Sequence, residues 1–150
     1  MNNAPTTRAV LMTQVATAEA LAATCAIHGV QATALPSEIG AYIPSDAATA
    51  ERLATSLSSA ITAVPFLLLS VADDRLSVHR YQDGERGEDV PGALVLDSLP
   101  ADVENFLLGT VTIGDLAGGV DSGSIGRWKA LRILARTSRA LKAQAKGRTE

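Results

Sequence analysis

Two stretches with helix signals, 18–28 and 47–63, stand between short β-like runs, and this alternation constrains the fold more than any other feature of the chain. Thr17 offers an N-cap for a helix from Ala18 to about His28, and Gly29 follows as its C′ residue. The second stretch is capped by Ser45 or Asp46. It spaces Ala50, Leu53, Leu57, Ala60 and Ile61 by three and four residues, the mark of one core-facing stripe, and Pro65 prevents its continuation. Around these helices lie the apolar pieces Arg8 to Val15, Val30 to Leu35, Ile39 to Ile43 and Phe66 to Val71. They are followed by an alternating run from Leu76 to Tyr81. The order is β-α-β-β-α-β-β. Its first six elements are those of a split β-α-β, ferredoxin-like sandwich, in which two helices cover one face of an antiparallel sheet. The expected class is therefore α+β, with further helices toward the C-terminus.

Beyond residue 81 the signals weaken. Gln82 to Gly92 reads as a polar, acidic loop and Ala93 to Leu96 as one more short strand. Pro100 opens a helix over 101–108 that Gly109 ends. Residues 110–123 read as a glycine-rich linker and 124–150 as a basic helix and tail, which leaves 1–109 as the sandwich domain. Apolar residues make up 47% of the chain but aromatics only 3%, so the core has to be built from Ala, Val, Leu and Ile. The few large pieces are Phe66, Phe106, Tyr42, Tyr81 and Trp128. Cys25 is the one cysteine, which rules out an intramolecular disulfide. The first residues lack a basic cluster followed by a long apolar run, so no signal peptide is expected. Val64 to Leu69 is the longest apolar run, contains Pro65 and falls far short of the ~20 residues of a membrane span. With neither a signal peptide nor a membrane span expected, the reading is a cytoplasmic protein, and ten Arg against three Lys in an Ala-rich chain point to a high-GC bacterium.

Residues able to carry chemistry are sparse. Cys25 and His28 lie one helical turn apart, as a thiolate and its base would, but a buried lone cysteine beside a solvent-facing helix end is the better expectation. Two histidines and no cysteine pair provide no zinc-ligand spacing. Asp83, Glu85, Glu88 and Asp89, with Gly84 and Gly87, could offer hard oxygen ligands, yet their spacing fits no calcium loop and a solvated hairpin tip is expected. Asp73-Asp74 reads as a polar turn. The segment GGVDSGSIGRWK, residues 118–129, could cradle an anion, but it lacks the Gly-Lys-Ser/Thr ending of a phosphate loop and the first glycine of a nucleophile elbow. No catalytic, cofactor-binding or metal-ligating residue is assigned. An enzyme would instead show a deep pocket in which Cys25, His28 or His79 meets a carboxylate.

Charge is the remaining signal. Residues 1–126 carry a net charge of −10 and residues 127–150 one of +7, within a chain of −3. At ~100° per residue, Lys129, Arg132, Arg136, Arg139, Lys142 and Lys146 share one arc of a helix, with Trp128 among them, opposite Ala130, Leu131, Ile133, Leu134 and Leu141. An apolar stripe rimmed by Arg and Trp is suited to helix-in-groove recognition. The chain is therefore expected to be a non-enzymatic protein–protein interaction or regulatory domain. Its contact residues are expected to be Trp128, Leu131, Leu134, Arg132, Arg136 and Arg139, toward a protein partner or a sister subunit. The alternative is nucleic acid or another anionic surface, against which stand the acidic body and the scarcity of aromatics for base stacking. No small-molecule substrate is indicated. A weak homodimer is expected, because an antiparallel sheet of this kind leaves an open edge and commonly one uncovered face, and the alternation of Leu76 to Gln82 suits a half-exposed sheet.

Overall fold

A computed structural model describes residues 8–62, 64–72 and 75–136. The chain is an α+β protein built on a five-stranded antiparallel sheet with helices, consistent with a ferredoxin-like sandwich. Its first elements are β1 (Arg8–Met12), α1 (Ala18–Ile27), β2 (Thr33–Ala34), β3 (Tyr42–Asp46) and α2 (Ala47–Ala60). Then follow β4 (Phe66–Ala72), β5 (Arg75–Gln82), β6 (Glu85–Val90), α3 (Gly92–Leu96), α4 (Ala101–Leu108) and β7 (Val120–Asp121). A last helix, α5, occupies 127–136. The large sheet runs β3-β1-β4-β5-β6, and β2 pairs separately with β7. Both caps are as the sequence implies. The Thr17 hydroxyl accepts from the Ala20 amide at 3.0 Å, and the Asp46 carboxylate accepts from the Thr49 amide at 2.9 Å.

Register decides which side chains face which layer. Opposed pairs Phe66–Tyr81 and Leu68–His79 point to one face, Leu69–Val78 and Val71–Leu76 to the other. The first face packs with Ala9, Leu11 and Ile43 beneath α1 and α2, whose Leu21, Cys25, Leu53 and Leu57 are buried there. Ile125, Ala130 and Ile133 join the same core, so α5 lies on this side too. The second face carries Val10, Met12, Leu69 and Val78, covered by Val103, Phe106 and Leu107 of α4. The sheet is thus sandwiched between two helical layers, and the uncovered face assumed for a homodimer is corrected: α4 and α3 cover it.

Three local expectations are corrected as well. The acidic stretch after Gln82 is not a loop; residues 85–90 form β6, antiparallel to β5 through a two-residue turn. Asp83 and Gly84 both have positive φ, 56° and 80°, the type I′ geometry that Asp-Gly favours. It follows that the strand Leu76–Gln82 is interior, paired on both sides, and the exposed edges are β3 and the heavily charged β6. Residues 93–96 are helical rather than extended, because a four-residue apolar run has no period that separates a strand from a buried helical turn. The expected hairpin of 30–35 with 39–43 survives as a bridge between Leu35 and Tyr42, while β3 itself starts at Tyr42 and β2 turns to β7. Asp73 and Asp74 lie outside the described residues.

Candidate interaction site

The terminal helix is positioned by the segment before it. Ser122 is buried and ties residues 120–124 to the strand-like stretch 30–32. Its hydroxyl donates to the Val30 carbonyl at 2.9 Å and accepts from the Ala32 amide at 3.0 Å, while its amide donates to the Ala32 carbonyl at 2.9 Å. With that hydroxyl engaged, Ser122 caps no α-helix; residues 122–124 form a 3-10 turn and α5 begins at 127, later than the expected Ser122 or Ser124. The stretch read as a linker is accordingly tied to the body through β7, and it contains a local turn in which the Thr112 amide and hydroxyl both donate to the Asp115 carboxylate. Two glycines of the 118–129 segment serve close approach. A side chain on Gly119 would press on Thr33 and Leu35 at 3.2 and 3.3 Å, and Gly118, at φ +84°, lies against Pro36.

On α5 the predicted contact residues divide. Leu134 packs against the core beside Ile133 and Ala130. Trp128 is 79% exposed and Leu131 48%, and Arg132 is exposed as well. At ~100° per residue, Trp128, Arg132 and Ala135 point directly away from the sheet, with Leu131 flanking them. Leu131 is therefore exposed on the outward face, whereas Leu134, expected beside it as a contact residue, belongs to the core. Arg136 is exposed and borders an open groove of ≈ 490 Å³ with Thr17, Glu19 and Pro36. Arg139 lies outside the described residues. Among the described residues, none of Arg127, Lys129, Arg132 and Arg136 makes an ion pair.

Catalytic alternatives find little geometry. Cys25 is fully buried, and burial pushes its thiol up to about 11, so it stays protonated at neutral pH, while His28 is exposed at the helix end. The sequence offered His79 but not its partners: its Nδ1 lies 2.6 Å from Asp89 Oδ1, and Arg86 Nη2 lies 3.1 and 2.8 Å from the two ring nitrogens. This pairing depends on the β5–β6 register across a bulge between His79 and Tyr81, and the Asp-Gly turn at 83–84 was the signal that could have located it. The Asp89 side chain is 78% exposed, and Arg86 crowds the face of the ring. The cluster is a surface tie between two strands rather than a pocketed acid–base pair. Arg8 was missed too. Its guanidinium donates to the Val111 carbonyl at 2.9 Å and lies over the Phe106 ring, 5.2 Å from its centre, so it secures the C-terminal end of α4. Among the described residues, no group of three or more His, Cys, Asp or Glu is placed to hold a metal, and no helix is long and apolar enough to cross a membrane.

Compared with family models, curated proteins and solved structures, the chain matches none.

Proposed function

We propose that this chain is a non-enzymatic interaction or regulatory module whose terminal helix contacts a protein partner or a sister subunit in the cytoplasm. The observation that carries this is the orientation of α5. Its inward residues are already buried in the domain's own core, yet the chain's one tryptophan and Leu131 are left in water beside Arg132. Isolated exposed leucines are common on protein surfaces, but Trp and Arg together on a rigid helix are what interface centres favour. Nucleic acid is the second reading, favoured by the four basic side chains of α5, none of which makes an ion pair among the described residues.

Point variants separate the two. Truncation at Gly123 would remove Ile125, Ala130 and Ile133 from the core, and Leu134→Asp would disturb the same packing, so neither isolates the surface. Trp128→Ala combined with Leu131→Ser is expected to leave the fold intact and remove specific protein partners, while Arg127→Gln with Arg132→Gln has a small effect at physiological salt. The opposite ranking, together with duplex DNA binding that weakens steeply with salt, would assign the face to nucleic acid.

A further inference from the structure

We infer that the outward face of α5 docks into the leucine groove between α3 and α4 of a second copy of this chain. The inference rests on the reading of α5 as a contact element and names its partner.

The groove lies on the second face of the sheet, where α3 and α4 meet β4 and β5. It is a cavity of ≈ 290 Å³ lined by Val71, Leu76, Leu96, Leu99, Leu107 and Leu108, with Glu104 at its border. That is at the small end of ligand pockets, which run from about 300 to 1,000 Å³, and it suits one large side chain better than a metabolite. Leu108 and Leu96 stand 65% and 47% exposed at its rim, so the lip is apolar as well. Four of the seven exposed large apolar side chains among the described residues thus fall into two places: Leu96 and Leu108 here, Trp128 and Leu131 on α5.

Charge points to the occupant. Residues 91–109 contain Asp97, Asp102 and Glu104 and no basic residue, whereas residues 125–136 contain Arg127, Lys129, Arg132 and Arg136 and no acidic one. The groove, with the Glu104 carboxylate at its edge, is therefore complementary in charge and in apolar character to the aromatic and leucine ridge with its basic rim. Topology then excludes the same molecule as the source. Its own α5 packs on the opposite face of the sheet through Ala130 and Ile133, so the ridge cannot reach the groove without leaving the core. Each copy carries one ridge and one groove, and the contact is heterologous: successive copies close into a ring or extend as a chain.

Sedimentation velocity over a wide concentration range tests this on the full chain with two surface variants, Trp128→Ala/Leu131→Ser in the ridge and Leu96→Glu/Leu108→Glu in the groove, each checked for a native circular dichroism spectrum. The wild type is expected to show species larger than a monomer that grow with concentration, and each variant to associate about tenfold or more weakly. An equimolar mixture of the two variants is expected to stop at a 1:1 dimer, because one molecule keeps only the groove and the other only the ridge. A groove variant that assembles like wild type would overturn the inference in favour of symmetric helix pairing, and a mixture that stays monomeric would overturn it as well. A monomeric wild type whose Trp128 still governs capture of a different protein would overturn self-docking and leave the reading of α5 standing; a silent Trp128 in both assays would overturn both.

Discussion

Asp46 shows how much one residue contributes to the architecture. It ends β3 and caps α2, accepting from the Thr49 amide and from the Thr49 hydroxyl, both at 2.9 Å, and these bonds hold its carboxyl below the usual carboxylate range. Because the folded value is depressed, the stabilisation is fully present above the unfolded value of about 3.9 and is lost as pH falls through the folded one. Asp46→Ala is expected to cost about 1 kcal/mol at pH 7. The gap to wild type should narrow in urea denaturation at pH 3, and an undiminished gap there would show that the cap does not act through its charge. Caps of this kind are legible because they depend on two or three neighbouring residues, and Thr17 and Asp46 were both within reach. The contacts of His79 with Asp89 and of Arg8 with Val111 were not, since they depend on strand register and on a packing partner 103 residues away.

At the scale of elements, legibility followed the strength of the local pattern. Helices with caps and stops, α1, α2 and α4, were recoverable to within a few residues, and so were the apolar strands β1, β4 and β5. β6 escaped because Glu85, Arg86, Glu88 and Asp89 show no apolar alternation; an edge strand needs little burial and is protected from further pairing by its charges. The attachment of α5 escaped for a different reason. It depends on Ser122, an unremarkable serine in a glycine-rich stretch until its hydroxyl is seen bonded to both Val30 and Ala32. Ser122→Ala leaves a part-buried carbonyl and a part-buried amide without those partners, with an expected cost of about 1 kcal/mol. Hydrogen exchange is expected to rise in 120–136 and at 30–34 together. A rise confined to residues 122–124 would mean that α5 is held by its apolar contacts independently of this serine.

Over the whole molecule, two layers of helices on one sheet leave a division that composition alone did not reveal. The basic ridge of α5 faces out from one side and the acidic leucine groove of α3 and α4 from the other. The charge asymmetry was plain in the sequence, as was the amphipathic character of residues 124–136. Its orientation was not, because the sequence pattern grouped Leu131 and Leu134 in one contact stripe, whereas Leu134 turns inward with Ala130 and Ile133 and Leu131 is exposed. The candidate site was therefore legible as a segment and only partly as a surface. The central claim is that the outward face of α5 is a contact surface, and Trp128, as the chain's one tryptophan, reports on it without a label. Its fluorescence, read with acrylamide quenching while protein concentration is raised, is the most direct measurement. A water-exposed, freely quenched emission in dilute solution is expected to shift to the blue and become protected as molecules associate, and to remain exposed in the Leu96→Glu/Leu108→Glu variant. An emission that stays exposed and freely quenched at every concentration, and on addition of any captured partner, would contradict the account.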